Sequence, residues 1–533
     1  MTRRTTALLI LLSSVAMACG GGQASTQTTS SSPRYGGTMV VASSSDPGSL
    51  NPGTTTSVPT HIVTGPMFNG LVGIDQALKP TPDLATSWTT SADGKAVTFH
   101  LATGVLWHDG LAFSSADVKF TFEQILMKYS SRTKAALTPL LASITTPDAS
   151  TVVFNFKIPY AAFLALIEKV NAPILPKHIY EGTDPLTNPA NQKPVGTGAF
   201  KFSEGVKGDH YTLVRNDHYF KKGLPYLDKI VVRIIPDDSS TSAAFERGEV
   251  DLLPGPPVLD YDRLSKLRGV SSSKRGREAF ASVTFIVFNL AHPALQDVRV
   301  RQAIAAAVDQ QFIISSVLAG KAIATTGPIS PQLTPFYSAT SARVVPHDVA
   351  ASRQLLAAAG VSNLHLTWVG DPTATKLATV LKDELSQVGI TLDLVQLERN
   401  AWIDRLYTKK DFDISYTNFE NGPDPDIGVK RAFISSNIGP IAFSNAASYR
   451  NSTVDDLLTK AATSTDQSAR ASAYSQFQSI VSKDLPYLYP YQSDSGVLFK
   501  SDFGGICEKS AKCTIYYEET YWKKGTAQPK SGS

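Results

Sequence analysis

Residues 364–394 change their hydrophobic period twice, and few folds accommodate that change. Residues 364–369 read as an apolar strand. Leu377, Val380, Leu381, Leu385 and Val388 then recur at helical spacing up to Gly389, after which Ile390, Leu392 and Leu394 alternate. A period of two puts successive side chains on opposite faces of a strand, whereas a period of 3.6 gathers one stripe along a helix. Strand, helix and strand in so short a span predict a parallel pair joined by its crossover helix. Such a unit belongs to an α/β lobe and argues against a bundle or a sandwich.

The rest of the chain agrees. Residues 38–42 form a short apolar strand ending in the polar turn Ser43-Ser44-Ser45-Asp46-Pro47-Gly48. Val97, Phe99 and Leu101 alternate, as do Ile230, Val232 and Ile234. Asp297 predicts an N-cap for a helix in which Val300, Ile304, Ala307, Val308 and Phe312 recur until Gly320 stops the run. Asp348 and Gly360 bracket a shorter helix. At roughly 100–200 residues per domain, the body from Arg34 onward predicts two to three globular units.

The amino terminus sets the compartment. Arg3 and Arg4 precede an apolar stretch over residues 7–15. A membrane span needs roughly 20 apolar residues, so this stretch reads as the core of a signal peptide. Small residues lead into Ala18-Cys19, which resembles the lipobox of bacterial lipoproteins, whose cysteine carries lipid. The alternative is ordinary cleavage after Ala18 with Cys19 a bystander. Residues 20–33 are almost wholly Gly, Ser, Thr and Gln, and read as a flexible tether. The expectation is a body outside the cytoplasm, held to the cell membrane through Cys19. Cys507 and Cys513 remain, and in an oxidising compartment the expectation is a disulfide between them.

Catalysis finds little support. His108 stands beside Asp109 in Trp107-His108-Asp109-Gly110, but adjacent residues on a turn point apart, and no Gly-x-Ser-x-Gly elbow accompanies them. The nine histidines form no His-x-x-x-His pattern, so neither a metal site nor a cofactor is expected. A net charge of +4 with no Lys/Arg run gives no basis for nucleic-acid binding.

Several ordered segments resemble the family-5 extracellular solute-binding proteins, the receptors of peptide, nickel and some oligosaccharide ABC importers. They include Gly36-Gly37-Thr38, Asp46-Pro47-Gly48-Ser49-Leu50-Asn51-Pro52, Asn69-Gly70-Leu71, Pro82-Asp83-Leu84-Ala85, Trp107-His108-Asp109-Gly110, Pro194-Val195-Gly196-Thr197-Gly198, Asn216-Asp217-His218-Tyr219-Phe220 and Asp297-Val298-Arg299. The resemblance implies a two-lobed α/β fold of the periplasmic-binding-protein type with an extra subdomain inserted in the first lobe. Its expected division is 1–19 signal peptide and lipobox, 20–33 tether, 34–75 with 196–288 and 490–525 first lobe, 76–195 insert, and 289–489 second lobe. It implies a monomeric receptor, not an enzyme, that closes on a peptide or similar polar solute and delivers it to an ABC permease. An oligosaccharide or metal chelate is the alternative solute. A sensory or adhesive lipoprotein, or a secreted hydrolase, is the alternative class.

The expected ligand-binding residues are Ser44, Ser45, Trp402, Tyr416, Phe419, Glu420, Asn421 and Asp424. In peptide-binding relatives the loop after the strand at residues 412–416 holds a tryptophan and then an aspartate that meets the peptide ammonium. Counting forward from Phe412-Asp413 puts Phe419 at the tryptophan and Gly422 at the aspartate, whereas counting back from Asp424-Pro425 puts Asn421 there. Neither is a carboxylate, although Glu420 and Asp424 are near. Trp402 reads equally as a pocket residue and as part of a helix core.

Overall fold

The computed structural model describes residues 33–274, 282–341, 345–494, 496–509 and 514–526. Cys19, with the expected signal peptide and nearly all of the tether, lies outside the described residues, as does Cys513. Cys507 is buried and disulfide-bonded, its partner sulfur outside the described residues. Among the described residues no helix is long and apolar enough to cross a membrane.

The first lobe is built on a seven-stranded mixed sheet. At its centre Thr38–Ser43 runs parallel to Lys229–Ile234, with Met39 opposite Ile230 and Val41 opposite Val232. Alternation along this strand feeds two cores. Met39 and Val41 join the cluster with Ile230, Val232 and Leu213 on one face. Val40 and Ala42 face Phe245 and Val250, under the helix Asp238–Arg247, on the other. A sheet covered on both faces needs apolar residues at successive positions, which the run Met39-Val40-Val41-Ala42 supplies.

The second lobe holds a six-stranded sheet in which Leu364–Gly370 pairs in parallel with Ile390–Gln396, in register from Leu364 and Ile390 onward. The helix Thr375–Ser386 makes the crossover and buries Leu377, Leu381 and Leu385. The parallel unit read from the sequence is therefore present. The long helix expected from Asp297 to Gly320 is instead divided. Asp297 caps Val298–Ala307, Val308 is extended, and Asp309 caps a second start by accepting from the Phe312 amide. A second capping aspartate inside an apolar run offers the backbone an alternative to continuing.

The inserted subdomain carries a four-stranded antiparallel sheet from Ala85–Thr90 to Thr151–Phe156, packed by Phe99, Phe154, Phe156 and Phe163. Two antiparallel ladders connect the lobes. Val270–Ser273 pairs with Val497–Lys500 in the first sheet, and Ser282–Phe288 pairs with Tyr487–Ser493 in the second. The strand Ser282–Phe288, grouped with the first lobe by sequence, thus sits in the second-lobe sheet between Tyr487–Ser493 and Ile414–Glu420. Its apolar run suits a central strand of either sheet, and only its pairing decides between them.

Candidate functional site

A cavity of about 400 Å³ lies where Ser44, Thr56 and Ile62 of the first lobe, Arg132 of the insert, and Arg399, Trp402, Asn418, Glu420 and Arg431 of the second lobe meet. The lobes touch around it. Arg431 Nη1 donates to Thr56 Oγ1 at 2.8 Å, and Tyr160 of the insert donates to Asp426 Oδ2 at 2.6 Å. Ile427 and Ala462 of the second lobe complete the apolar core of the insert. The conformation is closed.

The strand Ile414–Glu420 supplies the second-lobe wall, and its period of two decides which residues reach the cavity. Asn418 and Glu420 share one face and line it. Asn418 Oδ1 accepts from Thr284 at 2.7 Å, and Glu420 lies 4.0 Å from Arg132 Nη2. Phe419 points the other way and is fully buried, with Phe285 at 4.9 Å and the Arg431 guanidinium 4.8 Å over its ring. It offers no stacking surface to a solute, contrary to the reading from sequence.

The next two expected residues are committed elsewhere. Asn421 is buried, accepting from the Ser330 amide at 2.5 Å and donating to the Pro328 carbonyl at 3.3 Å. Asp424 caps the turn Pro425–Gly428 and pairs with Arg470 at 2.6 Å. Burial raises its pKa despite Arg470, whose charge opposes that rise. Neither lines the cavity. Both hold the loop in shape, because a buried amide or carboxylate takes the partners that packing brings.

Trp402 lines the cavity although only 1% exposed. Its Nε1 donates to Ser415 Oγ at 3.1 Å. Its ring stacks on Tyr416 at 5.0 Å, and Tyr416 stacks on Trp368 at 5.9 Å. Tyr416 is thus the middle of an aromatic stack behind the wall; its hydroxyl donates to Asp371, and burial pushes its pKa well up. Asp371 also pairs with Arg399 at 2.8 Å, and that guanidinium sits 5.4 Å over Trp402. Ser44 lines the cavity, while the buried Ser45 Oγ has no hydrogen-bond partner among the described residues.

Sequence reasoning missed the arginines. Arg132 is buried on the helix Ser131–Leu137 beside Ala135 and Ala136, a cation on a face otherwise of small residues. That pattern was the available signal. Arg431 follows the Asp-Pro turn in Lys430–Ala432 and carried no local signature.

The Trp107-His108-Asp109-Gly110 turn proves structural. His108 Nδ1 accepts from the Gly196 amide at 3.1 Å, and Nε2 lies 3.0 Å from the Gly198 carbonyl, which requires the proton on Nε2. Burial lowers its pKa to about 4, so the imidazole is neutral. A Cβ at Gly196 would lie 1.8 Å from the Met67 carbonyl oxygen, which explains a glycine in that strap. Among the described residues no group of three His, Cys, Asp or Glu side chains is placed to hold a metal.

The model of the bacterial extracellular solute-binding proteins, family 5 middle, matches residues 79–440. The probable D,D-dipeptide-binding periplasmic protein DdpA of Escherichia coli (strain K12) is 28% identical over 477 residues, covering 87% of this chain and 90% of that protein. Heme-binding protein A of Haemophilus influenzae is 29% identical over 438 residues, covering 76% and 78%. Among solved structures, the ABC transporter-associated periplasmic binding protein DppA of Helicobacter pylori, in complex with the peptide STSA, superposes with a TM-score of 0.82. It is 27% identical and covers 92% of this chain and 99% of that one.

Proposed function

The chain belongs to the bacterial extracellular solute-binding proteins of family 5, and from that premise we propose that it captures a short peptide or similar polar solute by lobe closure. Delivery to the permease of an ABC importer would follow, with a lipid on Cys19 holding the monomeric receptor at the membrane. The observation that carries this reading is the closed cavity of about 400 Å³ between the lobes, within the usual range for small-ligand sites. Contacts made to both lobes at once favour the closed state, and closure is the signal a permease can read. The names of DdpA and DppA favour a peptide. We assign the first lobe to 34–75, 196–274 and 494–525, the insert to 76–195 and the second lobe to 282–493.

Within this reading Glu420, a carboxylate in the cavity lining, is the counter-charge for a solute ammonium. Ser44, Asn418 and the edge of Trp402 supply the remaining polar contacts. Native mass spectrometry of gently purified protein is the test, because a closed cleft retains its solute. A bound peptide mass, released together with an increase in radius of gyration, is expected. Protein that carries no solute, and whose radius is unchanged by any peptide, would sink the reading.

A further inference from the structure

The two walls of the cavity differ in chemistry. Arg399, Asn418, Glu420 and Arg431 line it from the second lobe, whereas on the first-lobe side Asp238 is the only charged residue of the lining among the described residues. The helix Val58–Thr64 contributes Val58, Pro59 and Ile62 to that side. Val58 and Ile62 are four residues apart and fall on one stripe of the helix, with position 65 next along it. There the chain has Gly65, and Ile515 takes the room a side chain would need: a Cβ on Gly65 would lie 1.9 Å from Ile515 Cγ2. The apolar stripe is thus completed from the far end of the chain, and Ile515 lines the cavity together with Thr514.

Residues 514–520 form a strap that is fixed at several points. The Tyr517 hydroxyl donates to the Thr514 carbonyl, and the Tyr516 hydroxyl donates to Glu168. Glu518 pairs with Lys169 of the insert at 2.9 Å and with Lys221 of the first lobe at 3.3 Å. One exposed apolar side chain on a surface is ordinary. Val58 differs, because it is 46% exposed while lining the cavity of a closed cleft, beside the buried Ile62 and Ile515. Apolar area left wet in the closed state contributes nothing to closure, and a solute side chain laid on it would take both surfaces out of water. We propose that this wall selects the solute: an aliphatic side chain packs against Val58, Pro59 and Ile62, and Ile515 closes the end of the stripe and limits the size of that side chain. This rests on the solute-capture reading and narrows it to solutes that carry an aliphatic group.

The test is calorimetric titration of the full chain with two series of probes. One is trialanine and its variants with leucine or phenylalanine at each position in turn; the other is a neutral sugar as its methyl, isobutyl and phenyl glycosides. Each methylene taken out of water is a factor of about four in affinity, so leucine at one position should bind about tenfold or more tighter than alanine. Val58→Ser changes an exposed side chain and should cut that ratio about threefold or more. Ile515→Ala should move the preference from leucine toward phenylalanine, a reversal that a merely structural role of Ile515 would not produce, and Ile515→Val should give a smaller step in the same direction. Alanine and leucine binding equally at every position, or a leucine preference intact in Val58→Ser, would overturn the apolar wall and leave the peptide reading standing. A preference lost in Val58→Ser but unmoved in both Ile515 variants would overturn the limit assigned to Ile515. Binding of glycosides alone, with isobutyl preferred to methyl and that preference cut in Val58→Ser, would end the peptide reading and keep the wall. Glycosides alone without that preference, or no binding in either series, would end both.

Discussion

Two clusters of buried charge share residues 420–431, and they are balanced differently. In one, Asp424 pairs with Arg470 at 2.6 Å and Asp426 meets Lys430 at 2.9 Å. Two acids answer two bases, with the Tyr160 hydroxyl on Asp426 as a further donor. The Lys430 contact is an ion pair without hydrogen-bond alignment, since neither Lys430 Nζ nor Asp426 Oδ1 finds a partner of good geometry among the described residues. In the other, Arg132 lies 4.0 Å from Glu420 and is also within reach of the Glu168 charge, and Arg132, Arg431 and Glu420 line the cavity. A cluster that closes on itself holds the loop. One that lines the cavity stays within reach of a solute.

The comparison is broken most directly at Asp424. Asp424→Asn leaves Arg470 buried without its counter-charge, which is expected to cost about 3–5 kcal/mol of stability. Denaturant midpoints would register it, and an unchanged midpoint would mean that the first cluster is not closed.

A titratable group kept neutral sharpens the contrast. The folded pKa of His108, about 4, lies below its unfolded value near 6.5, so the unfolded chain takes up the proton first. This contribution to stability is complete above about pH 6.5 and is lost as pH falls toward 4, by up to about 3 kcal/mol. A series of melting temperatures against pH should show the loss, and His108→Asn should flatten it. An equal pH slope in that variant would contradict the neutral imidazole.

Tyr160→Phe removes a hydrogen bond that crosses from the insert to the second lobe. Bonds to charged groups contribute roughly 1.5–3 kcal/mol, so the closed state should weaken and solute affinity fall by about tenfold or more. Affinity unaltered in Tyr160→Phe would show that the bond is made equally in the open form.

The smallest effect is expected at Glu420. Glu420→Gln should weaken free-amine peptides by about tenfold, or about 1.4 kcal/mol, and leave N-acetylated peptides unaffected. Stability should fall as well, though by less than in Asp424→Asn, since the Glu420 side chain is 29% exposed and lies 4.0 Å from the buried Arg132. Equal losses for both peptide classes would remove Glu420 as the ammonium partner and align it with the structural acids Asp424 and Asp426.

The period switches within residues 364–394 and the family segments were enough for the fold class and the parallel pair. The caps at Asp297 and Asp348 were legible as well, because an N-cap is satisfied by amides two or three residues on. The division of the helix after Ala307 was not, since an apolar run looks the same with or without a break. In the binding loop the sequence offered the right neighbourhood and, apart from the expected Glu420, the wrong faces. A step of one residue along a strand moves a side chain to the opposite side. Counting onto Phe419 and Asn421 therefore selected the buried face, while Asn418 and Glu420 held the wall.

Local sequence determined what depends on neighbours in the chain: the α/β class, the parallel crossover, and the stretch that approaches the solute. The tertiary structure alone decided which charges are satisfied. Asp424 finds Arg470, 46 residues away, and Arg431 finds Thr56, 375 residues away, and no local pattern records either pairing. Burial converts an unmatched charge from a negligible surface term into a demand for a partner. Which partners Arg132 and Arg431 meet is therefore a property of the folded cleft, which the sequence did not record.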